Sequence, residues 1–337
     1  MGTLDGTVAM ITGAARGLGR QHALCFAEAG ADLVLVDLCA DLNDTPYPLS
    51  SRQHLEDTAT LCRRLGSEVL TRVADVRDQV SVDAAVAAGV EEFGRIDVLV
   101  NNAGLLGPGG RVTHELTEAE WTLVVDVNLT GAWRCCRAVL PQMVTLHGGS
   151  IVNIASTGAL VAFERFSSYV ASKHGLVGLT KALALEYGRH GIRVNAVCPS
   201  TIRSEQELDS RSTLGVASLL GSTLEEYESV SRNLHALPDL VNARQVAEAS
   251  VWLAGRGAAG VTGTTVTVDA GFTARQIQTA FCSRSRKLRG RMSVHTVAMW
   301  ARQSSLSPAK PVRFQPAGGS ASASQIEYCS SSLMTTS

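Results

Sequence analysis

Apolar and polar positions along the first 270 or so residues follow two patterns in alternation. Short apolar runs, the pattern of strands, fall at 8–12, 32–37, 68–74, 96–101, 150–155, 193–197 and 265–268. Longer amphipathic stretches between them predict helices at 17–29, 52–65, 80–93, 117–143, 168–188 and 243–254. Thr117-Glu118-Ala119-Glu120 is a capping-box sequence and opens the fourth of these. Strand and helix in strict alternation predict an α/β fold with a doubly wound, seven-stranded parallel sheet. No repeat of short period is visible, and no apolar run is long enough to span a bilayer.

Composition sets the scale of this unit. A chain of 337 residues with 45% hydrophobic content and 31 glycines can bury one large core, so a single domain over residues 1–274 suffices. The eight cysteines include no Cys-x-x-Cys pair, and no two histidines stand at helical ligand spacing, so neither a metal site nor a disulfide framework is expected. Met1 to Gly6 lacks a basic region and an apolar core, and Gly6 occupies the serine/threonine position of a myristoylation signal, which points to a reducing cytoplasm. The net charge of −1 hides an asymmetry: residues 275–337 hold nine Lys/Arg against the single Glu327, so this segment carries +8 and the body −9. Rich in serine and proline, 275–337 reads as a disordered tail. Its basic stretch 284–291 lacks interleaved aromatics, so neither nucleic acid nor membrane is an expected partner.

Two groups of residues carry chemistry. Thr12-Gly13-Ala14-Ala15-Arg16-Gly17-Leu18-Gly19 follows the first strand and opens a helix, the context in which glycines let a backbone and a helix N-terminus approach a pyrophosphate. Asp37 ends the second strand, where a carboxylate accepts hydrogen bonds from ribose hydroxyls and repels a 2′-phosphate. Downstream, Tyr169 and Lys173 are four apart on a predicted helix and share one face, with Ser156 thirteen residues before the tyrosine. A cation about 4 Å from a phenol at an effective dielectric of about 20 is worth roughly 4 kcal/mol, enough to bring a phenol that titrates near 10 toward neutrality. A tyrosine so tuned is a general acid/base.

These motifs, with Asn101-Asn102-Ala103-Gly104 and Asn128, resemble the short-chain dehydrogenase/reductase family in order and spacing from Gly6 to about Thr273. The resemblance implies a Rossmann-type fold. It makes Tyr169 the acid/base and gives Ser156 the substrate oxygen. Lys173 also holds the nicotinamide ribose, and Asn128 anchors a proton-relay water. It further brings Asp75 and Val76 to the adenine, Asn102, Ala103 and Gly104 to the adenosine ribose, and Pro199 to Ile202 past the nicotinamide carboxamide, with Ser200 where a glycine is usual. Arg16 favours NADP in this family, but Leu38 denies the second cation expected after the strand, so NAD is the expected cofactor.

The long connection after Asp37, with Pro46-Tyr47-Pro48-Leu49, and Leu234-His235-Ala236-Leu237-Pro238 are similar to the mycofactocin-associated, carveol-dehydrogenase-like subgroup. There the resemblance implies a nicotinamide that stays bound while electrons leave to an external acceptor, and residues 39–53 are expected to fold over the adenosine half of NAD. It also implies a homotetramer or dimer, with Trp121, Trp133 and Trp252 on the interface elements. Leu214, Leu219, Leu220, Leu224 and Leu234, with Val161, Phe163 and Phe166, are expected to line an apolar pocket. The expected activity is NAD-dependent hydride transfer between an apolar cyclic or terpenoid-like secondary alcohol, or its ketone, and nicotinamide. The alternatives are an NADP-linked 3-oxoacyl reductase, which Asp37 opposes, and a nicotinamide-sensing interaction protein with a basic tail.

Overall fold

Every residue of β1 (Val8–Thr12) is buried, as a strand with helices on both faces requires. The computed structural model describes residues 2–43, 45–203 and 207–274, with 207–212 described by backbone alone, and all of these belong to one compact unit. β1 is followed by β2 (Asp32–Asp37), β3 (Val69–Val73), β4 (Val98–Asn101), β5 (Gly149–Ile154), β6 (Ile192–Pro199), β7 (Ile202–Arg203), β8 (Val241–Asn242) and β9 (Thr265–Val268). Seven of them form one parallel sheet in the order β3-β2-β1-β4-β5-β6-β9. β7 and β8, two residues each, pair separately; they lie outside the predicted strands because two residues carry no periodicity.

The helices are α1 (Gly17–Glu28), α2 (Arg52–Arg64), α3 (Gln79–Phe93), α4 (Glu118–Val125), α5 (Gly131–Thr145), α6 (Ser167–Tyr187), α7 (Glu207–Leu219), α8 (Leu224–Leu234) and α9 (Ala243–Ala254). Alternation along the strands divides the core. Met10, Val34 and Leu99 pack with Val82, Val139 and Met143 on one face. Ile11, Leu35 and Val100 pack with Phe26, Leu55 and Val246 on the other. The stretch expected as one helix over 117–143 is interrupted: Thr117 and Glu120 form the expected capping box, but Asp126–Thr130 is a π-helical turn between α4 and α5. A π-turn inserts a residue into the helical ladder and re-aims the side chains on it, and such turns concentrate at functional sites. The tail expected over 275–337 lies outside the described residues. Among the described residues, no helix is long and apolar enough to cross a membrane.

α1 and α9 are joined by a buried histidine. His22 Nδ1 faces the Leu18 carbonyl at 2.8 Å and Nε2 lies 2.9 Å from the Ser250 hydroxyl. Burial pushes this imidazole down to about 4, against the hydrogen bond to Leu18 that pulls the other way. The unfolded chain therefore binds a proton near pH 6.5 that the folded chain refuses until about 4, and stability falls as pH falls through that window. The loss amounts to about 3 kcal/mol at the acid end. Urea unfolding of wild type and His22→Asn at pH 7 and at about pH 4.5 checks this; equal pH slopes for the two proteins would refute it.

Candidate active site

The carboxyl ends of the parallel strands open on a cleft of about 360 Å³, at the point where connections leave β1 and β4 toward opposite faces. Its floor is the glycine turn. Gly13 and Gly17 take φ of +66° and +54°, which only glycine adopts without strain. A Cβ on Gly13 would stand 2.9 Å from Ala103 Cα, and one on Gly19 would stand 1.9 Å from the Gly13 carbonyl oxygen. The turn is clamped to the strand beside it: Asn102 Nδ2 donates to the carbonyls of Thr12 (2.9 Å) and Gly13 (3.1 Å), while the Thr12 hydroxyl accepts from the N–H groups of Asn102 and Ala103 at 3.1 Å. Asn102 thus shapes the turn as well as lining the cleft, and the Thr12 hydroxyl holds the Asn102–Ala103 backbone beside it.

At the next strand end, Asp37 is 8% exposed, and its two oxygens accept from the N–H groups of Ala15 and Cys39, each at 3.0 Å. Burial pushes this carboxyl up, against the pull of those two N–H groups and of Arg16 and His54. A carboxylate oxygen accepts more than one hydrogen bond, so both retain capacity toward the cleft. Arg16, Gly17, Leu18 and Leu38 line the same wall. Asp75 and Val76 stand beyond them; burial acts to raise the Asp75 carboxyl, but the Arg77 guanidinium, 2.6 Å away, holds it below the usual range.

The other end of the cleft holds Ser156, Tyr169 and Lys173. Ser156 follows β5 and accepts from the Gly158 N–H at 3.0 Å, which fixes its hydroxyl on the side of the Tyr169 phenol, where it acts to lower the phenol. Lys173 Nζ donates to the Ile154 carbonyl at 2.8 Å and stands 5.8 Å from the Tyr169 ring centroid. This corrects the expectation that the lysine alone would bring the phenol near neutrality. Burial dominates at both groups, pushing the phenol up to about 12, relieved in part by Ser156, and the ammonium down to about 8. Lys173 nevertheless stays protonated through neutral pH. Asn128 sits on the π-turn. Its Oδ1 accepts from the Leu105 N–H at 2.7 Å, and its Nδ2 donates to the Leu105 carbonyl (2.8 Å) and the Ser172 hydroxyl (3.1 Å). Its amide therefore braces the chain after β4 against α6.

Pro199, Ser200, Thr201 and Ile202 border the cleft between β6 and β7. The Ser200 hydroxyl oxygen is buried with no hydrogen-bond partner among the described residues, a polar atom positioned for a ligand. The wall contributed by α7 and α8 differs from the one expected. Leu214, Leu220 and Leu234 are exposed, and Thr213, Val216 and Tyr227 line the cleft in their place, with Tyr47 from the long connection after Asp37. Phe163 and Phe166 do pack around Tyr169, with Val124 and Val216. A helix face without neighbours in sequence cannot tell a lid's outside from its inside, which is why the leucines misled.

The whole arrangement fits a dinucleotide: a turn that side chains would fill, a carboxylate at one end, a phenol–lysine pair at the other and an orphaned hydroxyl between. Residues 13–273 match a family model described as enoyl-(acyl carrier protein) reductase. (-)-trans-Carveol dehydrogenase of Rhodococcus erythropolis is 38% identical over 277 residues, covering 81% of this chain and 99% of that protein. An uncharacterized NAD-dependent oxidoreductase of Mycobacterium tuberculosis is 38% identical over 279 residues, covering 80% and 97%. Among solved structures, carveol dehydrogenase from Mycobacterium avium in complex with NAD superposes with a TM-score of 0.76 at 36% identity, covering 82% of this chain and 100% of that one.

Proposed function

The chain belongs to the short-chain dehydrogenase/reductase family and is an oxidoreductase of that type, and from this premise we propose that it oxidises an apolar cyclic or terpenoid-like secondary alcohol, or reduces the ketone, with NAD. The observation that carries the proposal is the meeting of Ser156, Tyr169 and Lys173 in the cleft whose far end holds the buried Asp37. When bound, NAD supplies the hydride acceptor that alcohol oxidation needs. Gly13, Gly17 and Gly19 give its pyrophosphate room, Asp37 takes the ribose hydroxyls, Asp75 and Val76 border the adenine, and Ser200 offers its free hydroxyl near Pro199 and Ile202. Ser156 holds the substrate oxygen, the Tyr169 phenolate accepts the hydroxyl proton and becomes the phenol, and the Lys173 cation favours the phenolate from which the step begins. Asn128 fixes the neighbouring chain for a proton-relay water.

The apolar substrate is supported by the Val124–Phe166–Val216 surroundings of Tyr169 and by the carveol dehydrogenase relatives. Membership of the mycofactocin-associated subgroup belongs to the same proposal. So do a cytoplasmic location and a retained NAD reoxidised by an external acceptor, with Leu42, Tyr47, Leu49 and Ser50 of the long connection lining the cleft over it. Assembly as a tetramer or dimer is supported by outward side chains on α4, α5, α6 and α9: Trp121, Trp133, Leu185 and Trp252 are 39, 43, 84 and 46% exposed. The test is turnover of secondary alcohol and ketone panels with NAD and with NADP, beside mass spectrometry of cofactor retained after dialysis. Activity confined to acyl thioesters, or a preference for NADP, overturns it.

Cofactor choice has its own expected result. Asp37→Ala lowers NAD affinity by about 10–100-fold and lifts the repulsion of a 2′-phosphate, so the NAD-to-NADP ratio of kcat/KM shifts toward NADP by at least that factor. Asp37→Asn, which keeps an acceptor for one of the two N–H groups, separates the charge from the loop contact. A ratio unchanged in both variants would show that Asp37 does not read the ribose.

A further inference from the structure

The long connection after Asp37 does more than border the cofactor end of the cleft. Tyr47 is 7% exposed, with the Arg16 guanidinium 5.6 Å from its ring centroid on one side. Its hydroxyl accepts a hydrogen bond from the Leu106 N–H at 3.3 Å, in the chain that follows β4. Its ring also lies flush against α7: a Cβ on Gly215 would stand 2.5 Å from Tyr47 Cδ1. The residue before it joins the same contact, since a Cβ on Gly107 would stand 3.5 Å from Pro46 Cγ and 3.7 Å from Leu219 Cδ1. Three segments far apart in sequence therefore converge where glycines leave room. α7 is the helix that presents Thr213 and Val216 to the cleft beside Tyr169.

We propose that Tyr47 is a positioning residue that fixes α7 over the substrate end of the cleft, so that the connection closing over the cofactor also sets substrate affinity. Val216, packed on Phe166 and Tyr169, anchors one side of the helix, and Gly215 on Tyr47 anchors the other. With Tyr47 removed, the helix keeps one anchor, and the wall made by Thr213 and Val216 is no longer held at a fixed distance from Tyr169. Substrate binding weakens while the groups that move the proton stay in place. The functional part of this inference rests on the alcohol dehydrogenase reading; the anchoring of α7 does not.

Three variants test it: Tyr47→Ala, Tyr47→Phe and Gly215→Val, with the double variant Tyr47→Ala/Gly215→Val. At saturating NAD, Tyr47→Ala raises substrate KM about tenfold with kcat within about threefold of wild type, and Tyr47→Phe, which keeps the ring contact and loses the acceptor for Leu106, falls between. Gly215→Val collides with the intact ring and raises KM similarly; in the double variant the valine occupies the vacated space and KM returns toward wild type, a non-additivity that direct contact demands. Unchanged substrate KM in Tyr47→Ala, or additive effects in the double variant, overturns the proposal. Hydrogen exchange of residues 207–219 gives a reading independent of turnover. Faster exchange in Tyr47→Ala than in wild type is expected, and equal exchange refutes the anchoring even if no alcohol is ever turned over. Wild type inactive on every alcohol with α7 loosened in Tyr47→Ala would instead fault the substrate reading alone.

Discussion

Tyr169→Phe lowers kcat by about 10²–10⁴-fold, the usual contribution of a general acid/base, and leaves the fold intact. The ring keeps its packing against Phe166 and Val216, and only the oxygen that meets Ser156 is lost. Steady-state assay beside a thermal melt decides the matter: a folded variant with near-normal turnover removes Tyr169 from the chemistry. The direction of the pH dependence follows from the same residues. Oxidation needs the phenolate, and burial holds the phenol high, at about 12, so the oxidation rate climbs as pH rises through neutrality toward the point near 8 where Lys173 gives up its proton. Reduction needs the protonated phenol and lacks that climb. An oxidation rate that falls between about pH 6 and pH 8 would contradict the assignment of Tyr169 as proton acceptor.

Gly19→Val is expected to abolish measurable NAD binding, weakening it more than about 100-fold, because the first carbon of any side chain meets backbone rather than a yielding side chain. The Gly13 carbonyl oxygen would lie 1.9 Å from it and Asn102 Nδ2 2.7 Å, so the clamp between the turn and β4 must open. Overpacking of this kind also costs about 1–3 kcal/mol of stability. Fluorescence titration with NAD and a urea unfolding curve measure the two effects; a variant that binds NAD as wild type does would show that the turn is not the pyrophosphate cradle.

Much of this architecture was legible in the chain, and the residues show why. Val8–Thr12 and Asp32–Asp37 are strands at the predicted bounds because a strand buried on both faces writes itself as a largely apolar run, while Thr265–Val268, also at its predicted bounds, is a partly exposed edge strand of alternating threonine and valine. The meeting of Tyr169 and Lys173 in one cleft was legible because they lie one helical turn apart, a relation that sequence records directly. What escaped notice depends on contacts between distant segments. The π-turn at Asp126–Thr130 is spelled Asp-Val-Asn-Leu-Thr, which continues an ordinary helical pattern; it is set by Asn128 bonding to Leu105 and Ser172. The elevated phenol of Tyr169 could not be read from spacing because spacing gives the lysine and omits the burial. Tyr47 sits in a stretch with no periodic pattern at all, and its partners are 31 residues before it at Arg16 and far beyond it at Leu106 and Gly215.

The strand order has a consequence for the nascent chain. β1 pairs on one side with β2, which leaves the ribosome soon after it, but its other neighbour is β4, with Ala9 opposite Val98. Once residue 73 has emerged, β3, β2 and β1 can associate, while the bonding edge of β1 faces solvent until the chain reaches Val98–Asn101. At ordinary translation speeds that interval lasts on the order of a few seconds. During it an apolar edge, buried along its whole length in the finished protein, is open to the same edge of a neighbouring chain. Crowded polysomes are therefore the setting in which this protein is most exposed to aggregation, and slowing initiation, which spaces the chains apart, should recover more soluble protein than strengthening the finished core.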